Sequence, residues 1–443
     1  MVNDKHRVLI VGLGITGLSC ARYLSSQGIE VAVTDSRDQP PALAELRQEL
    51  PNVAVFTGGF DEKVFSRADE LIVSPGVSLK HPLIVEAQNQ GKKILGDIEL
   101  FAQQAQAPVI VITGSNGKST VTSLVGVMAK ETGMDVRVGG NIGKPVLDLL
   151  TEAEPDCYVL ELSSFQLEYT SSLNASVAAV LNITEDHMDR YESIGEYAEA
   201  KKRAYRGNGK MILNRDDPLV MEMAQPLRRI LTFGLQPPSY SDYGIIEHEN
   251  ELWLARGNEP ILAVADLKIT GQHNVANALA ALAIGEASGF KQSAMLATLK
   301  SYPGLPHRCQ FVRELDSVRW YNDSKGTNVG ATVAAIKGLP QRVVLIAGGD
   351  AKSADFSSMK SIVEEKVQTL VLIGKDAEVI AKAMHGLTNI LTATDMADAV
   401  SLAKAHAQPG DAVLLSPACA SFDMFKGYEH RGDVFTQYVR ELT

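Results

Sequence analysis

Short apolar runs alternate with helical patterns along the chain, and this alternation constrains the fold more than any other feature. The runs consist almost entirely of Val, Ile and Leu, which is typical of strands covered on both faces of a parallel sheet. Strands and helices in alternation therefore predict an α/β fold built on parallel sheets. The predicted strands are Arg7–Val11, Glu30–Thr34, Glu70–Val73, Pro108–Thr113, Tyr158–Leu162, Val177–Asn182, Arg342–Ala347, Thr369–Ile373 and Ala412–Leu415.

Chain length and two turn-rich points predict three domains. The chain has 443 residues, against about 150 for a typical domain. One boundary is expected near Gly96, before a helix predicted over Ile98–Ala107, and the other in the turn-rich segment Tyr302–Pro306. The polar segment 237–260 is expected to be a small antiparallel excursion. The predicted domain limits are 1–97, 98–304 and 305–443.

Composition excludes several classes of protein. Hydrophobic residues make up 45% of the chain and the net charge is −11, which argues against nucleic acid or an anionic membrane as a partner. No apolar run approaches the roughly 18–20 residues of a membrane span. The four cysteines are far apart and form no C-x-x-C motif, so we expect reduced thiols and a cytoplasmic protein.

Residues 113–120 read T-G-S-N-G-K-S-T, between a predicted buried strand and an apolar helix. This is a shortened phosphate loop, with Ile112 where the early glycine of the longer motif would stand. Backbone amides of such a loop cradle phosphates, while Lys118 reaches the terminal ones and the hydroxyl of Ser119 or Thr120 can hold Mg²⁺. The motif predicts a nucleoside triphosphate site and is the strongest functional signal in the chain.

A second glycine-rich turn, G-x-G-x-x-G over residues 12–17, follows the first predicted strand, and Asp35 ends the next one. This arrangement is typical of a Rossmann-like domain that binds a pyrophosphate at a helix N-terminus. A tight turn without a ligand, a nicotinamide dehydrogenase and a site for another pyrophosphate, such as a nucleotide-sugar, are the alternatives. Because a dehydrogenase does not need the phosphate loop, we favour a second nucleotide-bearing molecule.

Three residues of the central segment are candidate metal ligands. Glu161 ends a predicted strand, where a phosphate loop needs a further Mg²⁺ ligand, although an ordinary buried acid is the alternative. His187 lies in a polar cluster after the following strand, at the edge where open α/β sheets bind ligands. Lys201 falls in the middle of an apolar helical stripe, which is costly unless the amine is paired, chemically changed or snorkels to solvent.

Polar groups elsewhere are expected near the same phosphate loop. Asn274 and Asn277 open a nearly all-apolar helix, where capping is their ordinary role. Lys325, Lys352 and Ser421 each follow a strand. We therefore expect these three residues at one sheet edge that faces the phosphate loop.

Taken together, these motifs resemble the Mur ligase family of ATP-dependent amide-bond ligases. The resemblance rests on T-G-S-N-G-K-S-T, V-L-E-L-S-S-F-Q, H-M-D-R-Y, Y-x-x-A-K, G-x-H-N-x-x-N and P-H-R, and it spans essentially the whole chain. It implies a Rossmann-like N-terminal domain, a central domain whose parallel sheet carries the phosphate loop, and a Rossmann-like C-terminal domain. ATP would lie between the last two domains.

The resemblance also implies substrates and site residues. It is closest to the members that add D-glutamate to UDP-N-acetylmuramoyl-L-alanine, and it implies ATP, two Mg²⁺ ions, a carbamoylated Lys201 and a monomer. Implied ATP contacts are Gly114, Asn116, Gly117, Lys118, Ser119, Thr120, Asn274, Asn277, Arg308, Asp323 and Lys325. Implied metal ligands are Ser119, Glu161, His187 and Lys201, of which the last three, with Lys118, form the catalytic set. Implied contacts to the UDP-substrate are Ile15, Thr16, Asp35, Arg37, Gly76, Asn141, Ser163 and Gln166, and those to D-glutamate are Thr327, Lys352, Ser421, Phe422 and Tyr428.

Three alternative functions remain open from the sequence. Another ligase of the family or a folylpolyglutamate-type ligase would share the ATP site, but would have no use for Asp35 and Arg37. The D-N-P-R motif of the family's diaminopimelate-adding members does not occur here. A nicotinamide-dependent oxidoreductase would need only the first domain, and a non-catalytic nucleotide-binding switch would show no ATP turnover.

Overall fold

The computed structural model describes residues 6–150, 153–269, 271–352 and 354–443. These residues form three sheets of five, nine and six strands, arranged one after another along the chain. Helices pack on the faces of each sheet, so the α/β prediction is confirmed.

The first sheet is fully parallel, in the order β3-β2-β1-β4-β5. Chain order reverses beside β1, so the loops after β1 and β4 border one crevice, where such sheets bind ligands. The strands are β1 Val8–Val11, β2 Val31–Asp35, β3 Ala54–Thr57, β4 Glu70–Val73 and β5 Lys93–Leu95. The helices are α1 Ile15–Ser26, α2 Leu43–Glu49, α3 Glu62–Arg67, α4 Pro82–Asn89 and α5 Asp97–Ala102.

The central sheet runs in the order β14-β13-β12-β11-β10-β9-β6-β8-β7, with an antiparallel end at β12–β14 and parallel pairs elsewhere. That end confirms the expected antiparallel excursion. The strands are β6 Val109–Thr113, β7 Val136–Gly140, β8 Cys157–Glu161, β9 Val177–Val180, β10 Lys210–Asn214, β11 Ile230–Phe233, β12 Tyr243–His248, β13 Glu251–Arg256 and β14 Glu259–Ala263. The helices are α6 Lys118–Glu131, α7 Ser164–Glu168, α8 Ile194–Lys202, α9 Pro218–Met221, α10 Gln272–Ser288 and α11 Gln292–Ser301.

The third sheet runs in the order β15-β16-β20-β17-β18-β19, and only its edge pair β15–β16 is antiparallel within the described residues. Loops after the parallel strands therefore meet at one edge. The strands are β15 Gln310–Leu315, β16 Val318–Asn322, β17 Val343–Gly348, β18 Val367–Ile373, β19 Asn389–Thr392 and β20 Ala412–Leu415. The helices are α12 Val329–Gly338, α13 Lys360–Lys366, α14 Ala377–Ala383, α15 Met396–His406 and α16 Tyr428–Glu441.

One predicted helix is shorter than expected. Helix α5 ends at Ala102 instead of Ala107. Phe101 is its last buried side chain, and Pro108 disfavours helical backbone at the residue before it. In the part of the chain that the structure describes, no helix is long and apolar enough to cross a membrane.

Candidate active site

The phosphate loop joins β6 to α6 and needs glycine at two positions. Gly114 and Gly117 have φ angles of +148° and +83°, which side chains other than glycine rarely adopt. A Cβ atom on Gly117 would lie 2.4 Å from Oδ1 of Asn277. Asn182 braces the loop from the end of β9, because its side chain accepts from Asn116 N at 2.8 Å and donates to Asn116 O at 3.1 Å.

Lys118 and Ser119 of the loop already make hydrogen bonds to protein groups. The amine of Lys118 donates to the carbonyl oxygens of Gly114 and Ser115 at 2.7 and 2.8 Å. Burial lowers the pKa of Lys118. Arg308, at the start of the third segment, donates from Nη2 to Oγ of Ser119 at 2.6 Å. The central and C-terminal segments therefore meet directly on the phosphate loop.

Glu161 ends β8 beside this loop and is 2% exposed. Asn141 donates from Nδ2 to Oε1 of Glu161 at 2.8 Å. The other carboxylate oxygen is buried and has no hydrogen-bond partner among the described residues. An ionised oxygen in that position is costly unless a cation compensates it, so Glu161 fits a metal ion. Over the same part of the chain, no three His, Cys, Asp or Glu side chains form a metal-binding group by themselves.

Lys201 is 1% exposed, so its amine does not snorkel to solvent. On α8, the amine donates to Gly114 O at 2.9 Å and lies 4.5 Å from the centre of the Tyr197 ring. Burial lowers its pKa well below the ordinary lysine value, and the positive charge of Lys118 lowers it further. Lys201 therefore reaches the phosphate loop with an amine that loses its proton more readily than an ordinary lysine does.

His187 lies in the loop after β9 and has a φ of 59°, an uncommon value for a residue other than glycine. Burial lowers the pKa of its imidazole, although the negative charge of Asp186 opposes this shift more strongly than the positive charge of Lys118 adds to it. Sequence reasoning missed the neighbouring Asp186, whose carboxylate accepts from Asn328 Nδ2 at 3.2 Å. The sequence signal that could have identified Asp186 is its position next to His187 in the same polar cluster.

A pocket of about 250 Å³ opens beside the phosphate loop, between α10 and the third segment. Its lining includes Thr120, Asn274 and Arg308. Asn277 donates to Oδ1 of Asn274 at 3.1 Å. Neither asparagine is the N-cap, which is Gly271. The pocket thus joins several of the predicted ATP contacts.

Asp323 lies behind this pocket with both carboxylate oxygens hydrogen-bonded. Its oxygens accept from Cys309 N at 3.1 Å and from Ser416 Oγ at 2.7 Å. Burial raises the pKa of Asp323 to about 7. The Lys325 amine lies 3.8 Å from the centre of the Tyr428 ring, and burial, followed by the charge of Arg308, lowers its pKa to about 8.

Four of the predicted amino-acid contacts lie in loops at one edge of the third sheet, and the fifth, Tyr428, is the first residue of α16. These loops are tied together by Ala418 N donating to Gly326 O at 2.9 Å and by a bridge between Asp350 and Ala420. The exposed fraction differs among the five residues: Ser421 is buried, Thr327 and Tyr428 are intermediate, and Lys352 and Phe422 are exposed. The strand order confirms that Lys325, Lys352 and Ser421, which follow β16, β17 and β20, lie at one edge of this sheet. That Lys352 faces the phosphate loop stays a prediction.

Sequence reasoning also missed Arg431 of α16, which is 1% exposed. Its guanidinium donates to Ser324 O at 2.9 Å and to Cys419 O at 3.2 Å. Burial lowers its pKa to about 10. Arg431 therefore holds the loops after β16 and β20 together, a role that requires the tertiary structure to recognise.

Different structural constraints explain the three glycines of the first glycine-rich turn. Gly12 has a φ of +99°, and a Cβ atom on Gly17 would lie 2.0 Å from Gly12 O. A Cβ atom on Gly14 would meet no protein atom within 4 Å. A tight turn without a ligand explains Gly12 and Gly17 only, whereas close approach of a ligand explains Gly14 as well.

Asp35 fixes this turn from the end of β2. Oδ2 of Asp35 accepts from Leu13 N at 2.7 Å, and the two oxygens accept from Nη2 and Nε of Arg37 at 2.7 and 2.9 Å. Although burial opposes it, the hydrogen bonds from Arg37 and Leu13 lower the pKa of Asp35. Ile15 is 65% exposed at the mouth of the crevice. Thr16 is intermediate and Gly76 is exposed.

The remaining predicted substrate contacts already have protein partners. Asn141 holds Glu161, as described above. Ser163 and Gln166 form a capping box at the start of α7. Gln166 also donates to Oδ2 of Asp97 at 3.1 Å. The structure therefore presents them first as residues that support the site.

The fold and the site define a phosphate-loop, nucleotide-dependent enzyme. The chain matches three family descriptions: "Mur ligase MurD-like, N-terminal domain" over residues 6–96, "Mur ligase middle domain" over 112–285, and "Mur ligase, glutamate ligase domain" over 307–419. It is 51% identical to a UDP-N-acetylmuramoylalanine--D-glutamate ligase of Nitrosococcus oceani, covering 98% of this chain and 96% of that protein. It is 52% identical to the protein of the same name from Marinobacter nauticus, covering 100% and 99%.

Among solved structures, the UDP-N-acetylmuramate-alanine ligase of Thermotoga maritima is similar in fold. Its TM-score is 0.62 at 17% identity, covering 98% of this chain and 99% of that one. The chain belongs to the Mur ligase family, whose members are ATP-dependent, amide-bond-forming ligases.

Proposed function

We propose that this ligase joins the amine of D-glutamate to the carboxylate of UDP-N-acetylmuramoyl-L-alanine, with ATP converted to ADP and phosphate. The observation that carries the proposal is that Lys118, Glu161 and Lys201 converge on one phosphate loop. Relatives named for this reaction are about half identical to the chain over its whole length.

The order of bond changes follows from the weak reactivity of a carboxylate. A carboxylate oxygen of the UDP-substrate attacks the γ-phosphorus of ATP, and ADP leaves, which gives an acyl phosphate. The D-glutamate nitrogen then attacks the acyl carbon to form a tetrahedral intermediate. Loss of phosphate and of an amine proton gives the amide. Lys118 neutralises charge on the transferring phosphoryl group, after its amine turns from Gly114 and Ser115 to the phosphates.

The pocket beside α10 supports a place for the rest of the nucleotide. Asn274 and Arg308 line it, Asn277 donates to Asn274, and Asp323 accepts from the backbone N–H of Cys309 in the lining. Lys325 is proposed as a further contact to ATP. Arg308 already donates a hydrogen bond to the hydroxyl of Ser119. Binding of the triphosphate therefore requires Arg308 either to break this hydrogen bond or to keep it while it also contacts a phosphate. The ATP contacts proposed for Gly114, Asn116, Gly117 and Thr120 belong to the loop itself.

Ser119, Glu161, His187 and Lys201 would hold Mg²⁺. Two observations support this assignment: one buried oxygen of Glu161 has no partner among the described residues, and the pKa of the Lys201 amine is lowered. Only a neutral amine reacts with CO₂, and the resulting carbamate replaces a cation with a carboxylate-like ligand. When bound, Mg²⁺ supplies charge neutralisation to the phosphoryl oxygens.

Substrate selection is proposed to use both outer segments. The crevice beside Gly14 would take the UDP portion, with Ile15, Thr16, Arg37 and Gly76 around it. The loops that carry Thr327, Lys352, Ser421 and Phe422, together with Tyr428 at the start of α16, would take D-glutamate. Its two carboxylates suit a lysine and backbone amides.

Each sheet falls inside one of the predicted ranges 1–97, 98–304 and 305–443, which we retain as the domain limits. A monomer, which the resemblance to the family implies, remains part of the proposal. Nucleotide substrates support the proposal that the enzyme works in the cytoplasm.

The test is ADP release after omission of one component at a time. ADP is expected only when UDP-N-acetylmuramoyl-L-alanine and D-glutamate are both present. ADP release without the UDP-substrate would contradict the proposal. A rise in melting temperature with NAD, together with the absence of ATP turnover, would favour the oxidoreductase alternative.

A further inference from the structure

Arg190 joins two parts of the molecule that the proposed reaction has to use together. Its Nη1 donates to the carbonyl oxygen of Pro75 at 2.8 Å, and its Nη2 donates to the carboxylate of Glu168 at 2.7 Å. Pro75 stands directly before Gly76, in the loop after β4 that borders the glycine-rich turn. The Arg190 side chain is only 11% exposed, and none of the roles proposed above uses it.

The same side chain also packs against the loop of His187. The guanidinium carbon lies 3.9 Å from the centre of the Phe165 ring. The Phe165 ring in turn lies 4.7 Å from the imidazole of His187, measured between ring centres. The backbone N–H of Arg190 donates to His187 O at 2.9 Å. Because His187 has a positive φ, its conformation depends on such surrounding contacts.

The partners of Arg190 hold it in one orientation. Glu168 is 14% exposed, and its carboxylate also accepts from the hydroxyl of Tyr191. The hydroxyl of Tyr169 donates to Val77 O at 2.5 Å, on the other side of Gly76. The planar guanidinium of Arg190 lies between Pro75 O and the Glu168 carboxylate, and a lysine amine does not reproduce this fixed geometry.

We infer that Arg190 is a positioning residue that sets the Gly76 loop for the UDP-substrate and the His187 imidazole for Mg²⁺ in a single arrangement. The inference rests on the proposed function. It assigns to Arg190 a coupling between the N-terminal substrate site and the central phosphoryl-transfer site. Its effect is therefore on binding of the UDP-substrate and of the metal, with the ATP pocket left intact.

The experiment compares Arg190→Met with Arg203→Met. Arg203 is a matched control, because it donates to the backbone oxygen of Glu168 at 2.6 Å and the substitution removes the same charge. Calorimetry without ATP or Mg²⁺ measures binding of UDP-N-acetylmuramoyl-L-alanine. ADP release measures the half-saturating Mg²⁺ concentration and the KM for ATP.

Arg190→Met is expected to weaken binding of the UDP-substrate by about 10- to 100-fold. It is also expected to raise the half-saturating Mg²⁺ concentration, while the KM for ATP stays within about 2-fold of the wild type. Arg203→Met should change none of these. Arg190→Lys should give a smaller loss, since it keeps the charge without the planar fork.

Equal substrate affinity and equal Mg²⁺ dependence in the two methionine variants would overturn the inference. If Arg190→Met does not fold by circular dichroism, Arg190→Lys and Tyr169→Phe serve in the same comparison. Failure of the wild type to bind the UDP-substrate would instead reject the proposed function, so the two failures are distinguishable.

Discussion

Replacement of Lys201 by alanine separates a catalytic role of this buried amine from a structural one. The substitution removes hydrogen bonds to Gly114 O at 2.9 Å and to the Thr113 hydroxyl at 3.5 Å. Gly114 O still accepts from Lys118 at 2.7 Å. Fold stability should therefore fall by about 2–3 kcal/mol, the upper part of the usual range for one substitution. If Lys201 carries a carbamate that holds Mg²⁺, activity should fall by at least about 100-fold, since even residues that only orient metal ligands cost 10- to 100-fold.

The assay is ADP release with both substrates, repeated with acetate or propionate. A short-chain carboxylic acid fits the space left by the side chain and supplies the missing carboxylate, so it should restore part of the activity. Lys202→Ala is the matched control, because Lys202 is 40% exposed and is paired with Glu199 at 3.0 Å. Full activity of Lys201→Ala without additives would refute the reasoning, as would an equal loss in Lys202→Ala.

Three further predictions follow from the geometry of the site. Gly14→Ala should leave the melting temperature unchanged but weaken UDP-substrate binding in calorimetry, whereas Gly17→Ala should lower the melting temperature. The same change in melting temperature and in substrate affinity for both variants would favour a turn without a ligand. Glu161→Gln keeps an acceptor for Asn141 but removes the charge, so the half-saturating Mg²⁺ concentration should rise in an ADP-release assay, and an unchanged value would exclude Glu161 as a ligand. Because burial raises the pKa of Asp323 to about 7, the stability that this acid contributes is complete below its unfolded value of about 4 and is lost as the pH rises through 7. Asp323→Asn should therefore melt above the wild type at pH 8, by a margin that shrinks toward pH 4, and a margin independent of pH would contradict this cause.

The main-chain architecture was largely predictable because its signals are local. Continuous apolar runs identify the buried central strands, and the structure places them within a few residues of the prediction. Strand β3 was not predicted, since three of its four residues are exposed at a sheet edge and lack that signal. Strand β10 was also missed, although Met211, Ile212 and Leu213 are buried inside the central sheet, because its apolar run is only three residues long. The stop of α5 at Ala102 depends on where burial ends, which periodicity alone does not show.

The site was predictable where one segment carries the chemistry. The phosphate loop is a continuous motif, and the helical position of Lys201 on an apolar face is visible in sequence. Contacts that cross between segments were not visible, such as those of Arg190 with Pro75 and of Arg431 with Cys419. The sequence positions of Asn141 and Glu161 also do not show that the Asn141 side chain donates a hydrogen bond to the Glu161 carboxylate.

The central claim is that this ligase adds D-glutamate specifically. Mass spectrometry of the UDP-linked product tests it most directly, with ATP, UDP-N-acetylmuramoyl-L-alanine and one amino acid in each reaction. We expect D-glutamate to be incorporated with one ADP formed per product, and L-lysine, diaminopimelate and L-glutamate to give no comparable product. Equal incorporation of another amino acid, or ADP formation without a UDP-linked product, would contradict the assignment.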